Sequence, residues 1–157
     1  MFRKAEHFIA ATPPLHVAKR HFIDKAKNLC YTVIKGGGVM RNDQLSIQSM
    51  DFAVSIIHLV KFLKDHRESI ISSQIGRSGT SIGANIREAQ YAHGKADFIA
   101  KLQIALKEAN ETGYWLELLY KTEYITEAEY KSLDSVCTSL RVMLVSSIRT
   151  AKENNRL

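Results

Sequence analysis

The chain has 157 residues, 45% of them apolar and 24% charged, with two cysteines and two prolines. That length predicts one domain able to bury a core without disulfides or a metal, and the ordinary composition excludes a disordered or fibrous chain. The formal charge of +6 invites a polyanionic partner, but residues 1–39 hold seven basic side chains against Glu6 and Asp24, a balance of +5, whereas residues 40–157 hold 15 basic against 14 acidic, only +1.

Residues 1–39 read as a basic N-terminal extension. They contain Pro13, Pro14 and the triple glycine Gly36-Gly37-Gly38. A short helix around Val17–Tyr31 fits Phe22, Ala26, Leu29 and Val33, which fall roughly on one face. Three readings stay open: a flexible basic tail, a loosely docked helix, and upstream sequence that is not translated. The last rests on Lys35-Gly36-Gly37, which is what a purine-rich ribosome-binding sequence spells in frame, a short distance before Met40. On that reading Met40 is the natural start. Cys30 and Cys137 show no ligand spacing and suit a reducing cytoplasm. No apolar run is expected to approach a membrane span, and Pro13, Pro14, Lys19 and Arg20 interrupt any secretory signal.

Residues 40–157 predict an all-α domain, an antiparallel up-down-up-down four-helix bundle. A first helix over 47–65 carries Phe52, Ile56, Leu59, Val60 and Leu63 on one stripe, with Ser46 or Ser49 as its N-cap and Asp51 in its first turn. A polar turn, residues 65–68, leads to a second helix over 69–93. Ile75, Gly79, Ile82, Ile86, Ala89 and His93 alternate steps of four and three there, as a seam requires. Gly76, Gly79 and Gly83 each cost about 1 kcal/mol against alanine inside a helix. They therefore predict close backbone approach by a neighbouring helix rather than a kink. After a turn at His93-Gly94-Lys95, a third helix over 96–121 places Phe98, Leu102, Ala105, Ala109, Thr112, Leu116 and Leu119 in one seam, with Trp115 beside it. The fourth, from Thr126 to about Lys152, opens on a capping box, Thr126 with Glu129. Its stripe runs through Tyr130, Leu133, Val136, Cys137, Leu140, Met143, Leu144 and Ser147.

A turn centred near Gly94 sets Glu88 opposite Lys101, Ser81 or Asn85 near Glu108, and Arg77 near Glu111. Read structurally, these residues fix helix register. Read functionally, they form a polar network lining a site between helices. No Glu-x-x-His occurs, so a di-iron carboxylate bundle is rejected. No nucleophile elbow or phosphate-binding loop is present either; Ile75-Gly76-Arg77-Ser78-Gly79 lacks the lysine and lies within a helix. His58 and His66 read as surface residues. No catalytic residue, metal or cofactor is expected. Tyr91, Tyr114, Trp115 and Tyr120 flank the core seams and form a candidate interface, since such side chains bury much area while keeping a polar end.

The stretch Gln74–Ala89, with Gly76-Arg77-Ser78-Gly79 and Asn85-Ile86-Arg87-Glu88-Ala89 inside it, resembles the central signature of the 23S rRNA intervening-sequence proteins. Asp97-Phe98, Lys101, Ile104–Ala109, Glu111-Thr112 and Trp115-Leu116 resemble the family's third helix, and Ser49–Ala53 its first. The likeness spans about residues 43–150. It implies a four-helix bundle that assembles as a homopentamer, and kinship with the accessory variability determinant of diversity-generating retroelements, a basic barrel that binds nucleic acid. The expected function is a non-enzymatic oligomeric scaffold for protein contacts, cytoplasmic and without a membrane partner. The alternative is an RNA- or DNA-binding accessory protein, which a near-neutral bundle disfavours even if Lys101, Lys107 and Arg141 form a basic stripe.

Overall fold

The structure, a computed structural model, describes residues 41–153, with side chains from Gln44 onward. The expected basic extension, its short helix and Met40 as the start lie outside these residues. Four helices follow in order: α1 Arg41–Asp65, α2 Ile70–Ala89, α3 Lys95–Lys121 and α4 Glu127–Glu153. No strand occurs among the described residues. Each helix packs on its sequence neighbours, and α4 returns to α1 in the sparsest of the four pairings.

Cross-helix pairs give the direction of each packing. Ser46 meets Gln90 and Gly76 faces Val60, so α1 and α2 run antiparallel. Glu88 meets Lys101 and Ser78 meets Thr112, so α2 and α3 do the same. Tyr120 stacks on Tyr130 at the near end of α3 and α4, while Arg141 lies over Gly113 farther along.

The interior follows the apolar periodicity. Phe52, Ile56, Leu59 and Leu63 of α1 are buried, with Ile75, Ile82 and Ile86 of α2, Leu102, Leu116 and Leu119 of α3, and Leu133, Leu140 and Leu144 of α4. Alternating large and small side chains let these layers interdigitate: Ala89, Ala105 and Ala109 sit in the same core. Gln48 and Ser72 enter it with side-chain polar atoms that have no hydrogen-bond partner.

The helix ends differ from expectation in three places. α1 starts at Arg41, so Ser46 and Ser49 are not its N-cap. Ser49 Oγ donates to the Ser46 carbonyl (2.9 Å), and Ser46 Oγ accepts from Gln90 Nε2 (2.8 Å). Serine hydroxyls inside a helix bond back to the preceding turn just as readily as they cap. α2 ends at Ala89, which leaves His93 exposed in the connector rather than in the seam. The His93 N–H donates to Asp97 Oδ2 (3.1 Å), tying the connector to the first turn of α3. The start of α2 is held by Glu68, which reads in the sequence only as part of a polar turn. Its carboxylate accepts from the N–H groups of Ile70, Ile71 and Ser72 at 2.9, 2.8 and 2.7 Å, a negative charge on the donors that a helix start leaves free.

The capping box of α4 forms as its sequence predicts: Thr126 N–H donates to Glu129 Oε2 (2.7 Å) and Glu129 N–H to Thr126 Oγ1 (3.3 Å). α1 and α3 both end in Schellman motifs. Glu68 N–H reaches the Leu63 carbonyl and Arg67 N–H that of Lys64; Tyr124 and Glu123 repeat the pattern on Leu119 and Tyr120. Arg67 and Glu123 hold the left-handed position, at φ 60° and 61°.

Candidate functional site

α2 presents two unlike flanks to its neighbours. Toward α1 it is glycine. A Cβ placed on Gly79 would lie 2.8 Å from Ile56 Cγ1, on Gly76 3.2 Å from Val60 Cγ2, and on Gly83 3.4 Å from Ser49 Oγ and 3.5 Å from its carbonyl oxygen. The neighbour that approaches α2 closely is therefore α1, and α2 stays one unbroken helix through all three glycines.

Toward α3 the same helix is polar. The hydroxyls of Thr112 and Ser78 meet in the buried interior at 2.9 Å. Lys101 Nζ lies 2.6 Å from Glu88 Oε2, and this hydrogen bond and the Glu88 charge raise the lysine pKa. Arg77 reaches both Glu111 and, at 3.8 Å, Glu108. Glu111 in turn accepts from the indole N–H of Trp115 (3.2 Å). Arg77 thus joins the two helices at one point and Lys101 at another. Asn85 turns back on its own helix and donates to the Ser81 carbonyl (2.9 Å), while Arg77 is the side chain that meets Glu108. Glu108 Oε2 is withdrawn from solvent and has no hydrogen-bond partner.

The candidate interface aromatics divide. Tyr120 stacks on Tyr130 (5.1 Å, 9° between planes), and Trp115 packs against the core, so both are occupied within the chain. Burial, followed by the Asp134 charge, raises the Tyr130 pKa. Tyr114 touches Trp115 edge-on at 4.8 Å but is 59% exposed, and Tyr91 in the α2–α3 connector is 81% exposed. No cluster of metal-ligating side chains occurs among the described residues. Cys137 donates its thiol to the Ala109 carbonyl (3.2 Å), and burial pushes its pKa up to about 11, so it packs as an inert thiol.

A row of exposed apolar side chains lies elsewhere, and a reading confined to the inward stripe of the first helix misses it. Ile47, Met50, Val54 and Ile57 lie on the outer side of α1 at 57, 46, 43 and 40% exposure. Their steps of three, four and three keep them in one row. The expectation about apolar runs needs correction here: within Gln44–Asp65 an 18-residue window reaches a mean hydropathy of 1.2, and the helix is, by length and composition, apolar enough to cross a membrane. It reaches that value because α1 is apolar on two sides, one in the bundle core and one facing out. Val142 and Val145 add exposed apolar area on α4.

The described residues thus form a four-helix body with a glycine flank, a polar seam and an apolar outer row. By sequence the chain belongs to the 23S rRNA-intervening sequence protein family, whose profile matches residues 42–146. It is similar to a solved protein of unknown function from the S23 ribosomal protein family of Bacteroides thetaiotaomicron VPI-5482. The two are 54% identical, with a TM-score of 0.69, over 70% of this chain and 99% of that one. No curated protein matches the chain.

Proposed function

We propose that this chain is a non-enzymatic scaffold that works by self-association, with the outer row of α1 as its assembly face. The observation that carries this reading is Ile47, Met50, Val54 and Ile57 standing 40–57% exposed in one row. Apolar patches of this kind mark interaction surfaces. Removing four half-exposed side chains from water contributes about 4 kcal/mol per copy. Five copies is the number the family resemblance implies. Tyr91, Tyr114, Val142 and Val145 leave further exposed area for another protein once copies have assembled.

Nucleic-acid binding has less support. Of the three residues of the expected basic stripe, Lys101 is held by Glu88 and Arg141 by Asp134 and Thr138, while Lys107 is exposed. Phosphate contacts need unpaired basic groups, and affinity should then fall steeply with salt.

Light scattering on the chain from Met40 tests the scaffold. The expected result is one species of several-fold monomer mass, reduced to monomer by Val54→Asp; a wild-type monomer at working concentration overturns the reading. A mobility shift with structured RNA at low salt, abolished at higher salt, would favour the alternative instead.

A further inference from the structure

The outer row of α1 needs an apolar surface to sit on, and the bundle carries one away from α1. We propose that the row of one copy seats in the groove between α3 and α4 of a second copy, so that copies join head to tail. This docking deepens the scaffold reading above and rests on it. The groove measures about 510 Å³ and opens between the first half of α3 and the last turns of α4. Leu106 and Ile148 form its floor, Val145 stands on its edge at 52% exposure, and Gln103, Arg149 and Lys152 line its rim. Farther along the same crevice Arg141 lies over Gly113, so the open stretch is confined to one end of the bundle.

Length, charge and position all fit a second copy. Ile47 to Ile57 span ten residues of helix, about 15 Å, and Val142 to Lys152 span the same distance along α4. Anchors at steps of three, four and three are what a helix lays into such a groove. Arg149 and Lys152 are exposed, and neither is in an ion pair among the described residues. Asp51 of α1 is unpaired in the same sense and half-buried; it lies four residues after Ile47 and three before Val54, beside the row. Its carboxylate would arrive at a cationic rim. Because α1 and α3 do not touch, one copy can offer its row and receive another's at once. A contact of this kind is heterologous and closes into a ring where the rotation allows. Each copy in a ring is then held twice, which lets a modest patch sustain an assembly. Row-on-row pairing would stop at two copies and leave Arg149 and Lys152 facing water. Val142 and Val145 are then taken by the next copy, and Tyr91 and Tyr114 are the exposed area left for another protein.

Complementation in the full chain tests the docking. Val54→Asp breaks the row and spares the groove; Val145→Asp breaks the groove and spares the row. Both side chains are exposed, so both variants should keep the parent's helix content by circular dichroism. Alone, each should run as a monomer by light scattering at a concentration where the parent is fully assembled. Mixed one to one, the intact row of the Val145→Asp chain should enter the intact groove of the Val54→Asp chain. The mixture should give a species of twice monomer mass and none larger. Arg149→Glu with Lys152→Glu should also reduce the parent's mass at least twofold, and it replaces Val145→Asp if that variant loses helix. Parental mass in either groove variant, or two monomers that stay apart on mixing, overturns the docking and leaves self-association through α1 standing. A monomeric parent overturns the scaffold reading and the docking with it.

Discussion

Along α2 the contact with α1 and the contact with α3 solve the same packing problem by opposite means. On one side Gly76, Gly79 and Gly83 remove side chains until the surfaces touch, and the distance between helices is set by Ile56, Val60 and the Ser49 backbone. On the other, Arg77, Ser78 and Glu88 reach across to Glu111, Thr112 and Lys101, and the set of partners fixes the register. The glycine flank controls how near the helices come but says little about sliding, whereas the polar flank resists sliding and tolerates changes in distance. One helix thereby orients both neighbours.

Substitutions on each flank test this division. Gly79→Leu should cost the most, about 3 kcal/mol, because Ile56 is fully buried and cannot move aside; urea denaturation measures it. Gly94→Ala, with nothing within 4 Å of the new methyl, should be close to neutral and serves as the control. On the polar flank, Thr112→Val removes the hydroxyl that meets Ser78, leaves Ser78 Oγ only its 3.5 Å bond to the Ile75 carbonyl, and should cost about 1 kcal/mol. Adding Ser78→Ala should return part of the loss. Loss of the same size in the double variant would mean that Ser78 is not destabilised by losing Thr112. Glu88→Gln should barely change stability, since the pair with Lys101 is solvent-exposed.

The α3–α4 contact adds a pH test. The Cys137 thiol has its pKa raised from 9.0 to about 11 by burial. Between those values the unfolded chain loses the proton and the folded chain keeps it. Stability contributed here is therefore present below pH 9 and falls as pH rises toward 11, by about 1.4 kcal/mol per pH unit at most. Cys137→Ala should flatten that part of the stability–pH curve relative to the parent. Small gains rather than losses are expected at Arg67 and Glu123, which hold left-handed backbone where glycine is unstrained. Arg67→Gly and Glu123→Gly should each stabilise by about 0.5–1 kcal/mol, read as a rise in Tm.

Much of this fold is written locally in the sequence. The Thr126–Glu129 box lies within one turn, and the Glu88–Lys101 match follows from a short connector centred near Gly94, so both are legible without a structure. Glu68 is equally local, yet it hides in a run of polar residues where a capping carboxylate looks like any other charge. The start of α1 is missed because Ser46 and Ser49 resemble caps, and only the third dimension shows their hydroxyls bonding elsewhere. Likewise a row of glycines announces a close neighbour but cannot name it; α1 and α3 both flank α2. The outer row of α1 is missed for another reason. Once Phe52, Ile56, Leu59 and Leu63 satisfy a helical stripe, four more apolar residues on the far side look like ordinary surface.

The sparse return of α4 to α1 makes the bundle mechanically a ribbon of three hairpins with one light fastening. Cooperativity should thin at that fastening. α1 comes closest to its neighbours along the glycine flank of α2, while Phe52, Ile56, Leu59 and Leu63 hold it in the core. Amide hydrogens of α1 would then exchange through openings smaller than global unfolding, while those of α2 and α3 wait for the whole molecule. Anything seated on the outer row of α1 would slow that exchange without touching the core.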